Sequence, residues 1–100
     1  MGVHAQLPID DLPGADLVVE GIDDLRRGRD TAAAALVRMA APRLRAVGLD
    51  VPQTANGMRP GHRLYELLSS ADPATAHGRY NALVARVVSF ARAAERARTG

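Results

Sequence analysis

One hundred residues carrying a formal charge of +2 and no cysteine point to one domain without a disulfide framework or thiolate chemistry. Hydrophobic residues make up 47%, too many for a disordered chain, yet 19 of those 47 are alanine and only one is Phe. So few aromatic residues argue against a sandwich or barrel, and the composition points to a small all-helical domain.

Charge is unevenly placed. Residues 1–30 hold seven acids against three arginines, and residues 31–100 hold four acids against ten arginines. The simplest consequence is that the two parts face and neutralise each other; the sharper one is an anion-binding surface. Every basic residue is arginine. Codon bias accounts for that, although arginine also suits bidentate contacts to phosphate or carboxylate.

Residues 1–12 are expected to form an irregular arm interrupted by Pro8, with Leu7, Ile9 and Leu12 able to anchor it. They show no basic and apolar leader pattern, and Gln6 stands where myristoylation after Gly2 wants Ser or Thr. No apolar run approaches a membrane span, so a cytoplasmic protein is expected. Residues 13–100 should then form a single helical domain.

The first helix is predicted from Pro13 to Arg27, with Val18, Val19, Ile22 and Leu25 as its apolar stripe and Gly28 ending it. The second starts at an Asp30 or Thr31 cap and keeps Ala33, Leu36, Val37, Ala40, Leu44 and Val47 on one face. Pro42 lies inside that pattern, so a kink or break is expected near Ala41, and Gly48 closes the helix. Residues 49–60 form a linker rich in turn residues, packed through Leu49, Val51 and Met58 if it is ordered.

A third helix is predicted from Gly61 to Ser70, with Leu64, Leu67, Leu68 and Ala71 sharing a face. Asp72-Pro73 reads as the start of a long fourth helix reaching about Arg98. Its stripe is Tyr80, Leu83, Val84, Val87, Val88, Ala91 and Ala94. Gly78 inside it marks either a close helix contact or a late start. The expected architecture is a compact all-α array of about four helices, the second kinked at Pro42 and the last long.

Four constellations compete for a function. His62 and Glu66 lie four apart on the third helix, with His77 as a distant third ligand, but their face points away from the leucines and suits solvent. No metal and no cofactor is expected, and no nucleophile elbow or phosphate loop argues for catalysis. Thr75, Arg79, Arg86, Ser89 and Arg96 share one outward sector of the fourth helix. With the third helix they could form a helix-turn-helix-like unit on DNA; the plain alternative is a solvated arginine face. His77, Arg79, Tyr80 and Asn81 form the densest polar cluster and the place to look for a small ligand.

The fourth helix also has a stripe longer than a small core needs. Tyr80, Val84, Val87, Ala91 and Ala94 would then pair with a second copy in a two-fold homodimer. The expected function is therefore a non-catalytic interaction domain that self-associates, or that binds another protein. A small DNA-binding regulator is the alternative.

Overall fold

The computed structural model describes residues 11–53 and 59–99. Four helices follow in order: α1 (Ala15–Arg26), α2 (Ala32–Ala46), α3 (Pro60–Ala71) and α4 (Ala76–Thr99). No strand occurs among the described residues, and no helix is long and apolar enough to cross a membrane. Most of the expected arm and Met58 of the linker lie outside the described residues.

α2 is the central element and touches each of the other three helices. Its four alanines at 32–35 let α1 approach closely. The closest point is Gly21, where an added Cβ would stand 2.4 Å from the Ala33 carbonyl oxygen and 2.4 Å from Val37 Cγ2. One continuous core draws on all four helices, and Phe90, Leu36, Leu44 and Leu64 are its largest fully buried side chains. The array measures 17 Å across its thinnest dimension, about two helix layers, so every helix keeps an outward face.

Helix ends follow local chemistry. Thr31 caps α2 by accepting from the Ala34 N–H at 3.1 Å. α1 and α2 both end in the same six-residue turn. In α1, Gly28 N–H donates to Leu25 at 3.2 Å and Arg29 N–H to Asp24 at 2.8 Å. In α2, Gly48 N–H donates to Arg45 and Leu49 N–H to Leu44, each at 3.0 Å. Both glycines have positive φ, 73° and 95°, the left-handed geometry this turn requires. The second turn brings Leu49 back over Leu44, and Arg45 holds the chain beyond it by donating to the Val51 carbonyl at 2.9 Å.

Several boundaries differ from the sequence expectation. α1 starts after Pro13, with Gly14 as cap residue and no side-chain cap. A Cβ on Gly14 would stand 2.7 Å from the Arg86 carbonyl oxygen, so the start of α1 lies directly on the α4 backbone. The kink at Pro42 is as expected: the proline has no N–H to give the Arg38 carbonyl, yet the helix runs on to Ala46.

α4 begins at Ala76, not Pro73, because Asp72 organises a separate turn first. The Asp72 carboxylate accepts from Ala74 N–H at 3.2 Å and from the Thr75 hydroxyl at 3.0 Å. The Thr75 carbonyl then takes the first helical bond, from Arg79 N–H at 2.9 Å. Gly78 meets nothing within 4 Å and so marks this late start, not a helix contact.

Ion pairs tie distant segments. Arg43 of α2 grips Glu95 of α4 through two bonds, at 3.2 and 3.0 Å. Arg63 of α3 reaches Asp30 at 2.8 Å and also pairs with Glu66. Arg86 of α4 reaches Asp16 of α1. The acidic first part of the chain thus neutralises basic neighbours at Asp16 and Asp30.

Candidate functional site

An open groove of about 660 Å³ runs along the outward face of α1. Its lining combines α1 residues from Ala15 to Arg26 with Leu49 and Asp50. The packing of α1 explains why it exists. Val18, Ile22 and Leu25 are the side chains that face α2 and the core, while Val19 stands about 100° away on the helix wheel and remains 43% exposed. The sequence stripe placed Val19 in the core; it forms the groove floor instead, with Ala15 and Ile22 at its core-side margin. The turn that ends α2 supplies the opposite wall, Leu49 and Asp50.

The α1 wall of the groove is a ladder of carboxylates, Asp16, Glu20 and Asp23, spaced four and three apart and therefore stacked along one side of the helix. Arg86 donates to both oxygens of Asp16, at 2.9 and 3.1 Å. Those bonds hold the Asp16 carboxyl below its ordinary pKa, against a smaller opposing effect of desolvation. Asp23 pairs with Arg27 one turn on, at 3.1 Å, and Asp50 stands 3.9 Å from Arg26. Glu20, between Asp16 and Asp23, has no hydrogen bond or ion pair among the described residues. The groove therefore offers an apolar floor, an acidic wall and exposed ion pairs that water and salt weaken.

Asp24, next to Asp23 in sequence, is buried. Its carboxylate accepts from the Thr31 hydroxyl at 2.6 Å, with the Arg29 guanidinium 3.9 Å away. That hydroxyl also caps α2, so Asp24 locks the α1–α2 corner and does not serve the surface. A second cleft, of about 280 Å³, lies beside α2 between Arg38, Arg45 and Pro52. The Arg45 guanidinium there is already bonded to the Val51 and Pro52 carbonyls.

The residues singled out from the sequence are dispersed. Of the expected α4 interface, Val87, Ala91 and Ala94 are buried by the chain's own helices, and only Tyr80 and Val84 keep exposed surface. The stripe is core because α2 and α3 cover it, and Phe90, left out of that stripe, is the largest side chain fully buried beside it. Among the expected nucleic-acid contacts, Arg86 is held by Asp16 and the Thr75 hydroxyl by Asp72. Arg79 and Ser89 are exposed, and Arg96 is engaged within the chain.

In the expected ligand cluster, His77 and Asn81 bond to each other at 3.3 Å on an exposed helix face. Tyr80 packs instead against Tyr65, the ring centroids 5.8 Å apart and the planes tilted by 59°. Glu66 is spent on Arg63, His62 is exposed, and no three potential metal ligands converge among the described residues. Leu49 packs against the core as expected of an ordered linker, but its place in the groove wall and the exposure of Val19 were not foreseen. The signal available was Val19 lying beside Val18 at the edge of the stripe, with three acids spaced along the adjoining face.

Comparison with family models, curated proteins and solved structures finds no match to this chain.

Proposed function

We propose that this chain is a cytoplasmic, non-catalytic interaction domain that docks an amphipathic helix of another protein in the α1 groove. The observation that carries it is the exposed Val19 on an apolar floor between the carboxylate wall and Leu49. From Ala15 to Arg26 the groove follows about 16 Å of helix axis, three turns, which matches three turns of an incoming helix. Helix-in-groove recognition uses anchors at such spacings, and the small Ala15 permits close approach.

A stapled peptide with leucine at i, i+4 and i+7 and glutamine elsewhere is a sufficient probe. Its titration into isotopically labelled protein is expected to shift the amide signals of Val19, Ile22 and Leu49. Shifts confined to α3 and α4, or none at about millimolar peptide, would remove the groove from consideration.

Self-association is the second reading, favoured by the tyrosine edge. Tyr65 is 41% exposed, and it packs on Tyr80 beside the half-buried Val84. Tyrosine is favoured at interfaces, and two copies could join at this edge. Tyr65→Glu should then give monomer in sedimentation. Charged replacements of Val87 or Ala91 do not test this, because those residues are core and a charge there is expected to unfold the chain. DNA binding through α4 is the remaining alternative. It predicts duplex binding that collapses between about 50 and 200 mM salt and needs Arg79.

A further inference from the structure

We infer that the helix taken by the α1 groove carries arginines beside its apolar ridge at i, i+4 and i+7, and that Arg86 of this chain competes with the first of them for Asp16. The inference rests on the groove being a docking site and adds the chemistry of its occupant. Three observations carry it. Asp16, Glu20 and Asp23 form a carboxylate ladder at that same spacing along the groove wall. Glu20, the middle rung, has no partner among the described residues, while the rungs beside it each hold a guanidinium of the chain itself. The Asp16 partner comes from a different helix, 70 residues away, so one rung already recognises an arginine across an interface.

Arginine is preferred to lysine here because its guanidinium presents several donors in a fixed plane and sheds water more readily. Both existing pairs are solvent-exposed, so exchange for an incoming arginine loses little. The apolar floor supplies affinity; the ladder selects charge and orientation.

Three stapled peptides of about 18 residues share one leucine ridge and carry arginine, glutamine or glutamate at the flanking i, i+4 and i+7 positions. Fluorescence anisotropy at about 50 and about 200 mM salt measures each against the intact chain. The arginine peptide should bind about tenfold tighter than the glutamine peptide at the lower salt, and the glutamate peptide weakest. Glu20→Arg should abolish the difference between the arginine and glutamine peptides. Val19→Ser should weaken both. Arg86→Gln should tighten the arginine peptide roughly two- to threefold and leave the glutamine peptide unchanged.

Equal binding of the arginine and glutamine peptides overturns the charge selection and leaves the docking groove standing. No binding by any of the three overturns the groove itself. Arginine-peptide binding that survives both Val19→Ser and Glu20→Arg places the contact elsewhere and overturns the inference. Sedimentation of the chain alone decides the last case: a dimer that Glu20→Arg dissociates would make the occupant a second copy and overturn it too.

Discussion

Gly21 and Gly78 look alike in the sequence, each a glycine inside an amphipathic helix that alanine should stabilise by up to about 1 kcal/mol. Their surroundings predict opposite outcomes. At Gly78 an added Cβ meets nothing within 4 Å, so Gly78→Ala should gain most of that amount, reduced somewhat because the site lies in the first turn of α4. At Gly21 the same Cβ lies 2.4 Å from the Ala33 carbonyl oxygen and from Val37 Cγ2, against 3.4 Å for ordinary contact. Neither neighbour yields easily: one is helix backbone, and the other is a β-branched side chain with a single favoured rotamer in a helix. α1 and α2 must therefore separate by about an ångström, a gap that forfeits a quarter to a half of each dispersion contact along the seam. Overpacking of this kind costs about 3 kcal/mol at its upper range. Set against the propensity gain, Gly21→Ala should be destabilised by about 2 kcal/mol. Urea unfolding followed by circular dichroism reads both changes. With a slope of roughly 1 kcal/mol per molar, the midpoint should fall by about 2 M for Gly21→Ala and rise by up to about 1 M for Gly78→Ala. A Gly21→Ala variant as stable as the parent would mean that α1 and α2 do not cross at this point, and the groove built on their packing would lose its basis.

Thr31→Ala should cost about 2–3 kcal/mol in the same assay, because it removes the α2 cap and takes a hydrogen bond from the buried Asp24 carboxylate. Thr31→Ser should stay within about 0.5 kcal/mol, since it keeps both bonds. Phe90→Ala should cost about 3–5 kcal/mol, most of what a chain of this size holds, and is expected to abolish a cooperative thermal transition. Asp16 and Glu95 both have pKa values lowered by their arginine partners, so their contribution is present above the ordinary carboxylate range and is lost as pH falls through the lowered values. Stability measured toward acid should therefore decline less steeply in Asp16→Asn and Glu95→Gln than in the parent, and high salt should narrow the gap because both pairs are exposed.

The helices were legible because spacings of three and four run through all of them, and their ends were legible where one residue decides the geometry. Thr31, Gly28 and Gly48 are such residues: a hydroxyl cap and two positive-φ turns act locally and need no tertiary information. What the periodicity could not resolve was the edge of each face. Val18 and Val19 differ by one wheel step, and which of them α2 covers depends on the crossing at Gly21, a contact between residues 12 or more apart in sequence. Asp23 and Asp24 differ by the same step, and one is surface while the other is a buried lock. For α4 the length of the stripe suggests surplus for a partner, yet α2 and α3 consume Val87, Phe90, Ala91 and Ala94.

The same thin packing links stability to docking. An alanine-rich core in a two-layer array buries little apolar area per residue, so total stability should sit toward the low end of the usual range. A ligand that binds only the folded chain adds stability by mass action, about 2.7 kcal/mol when present at a hundred times its Kd. That slightly exceeds the loss expected for Gly21→Ala, whose lesion lies on the α2 face of α1, away from the groove. A saturating arginine-bearing peptide should therefore return Gly21→Ala to near the parent's unfolding midpoint, and should do nothing for a double variant that also carries Val19→Ser. Rescue without dependence on Val19 would mean stabilisation by some other surface. Failure of rescue by a peptide that demonstrably binds would mean that the α1–α2 seam and the groove are coupled, with the displaced α1 no longer offering the same floor.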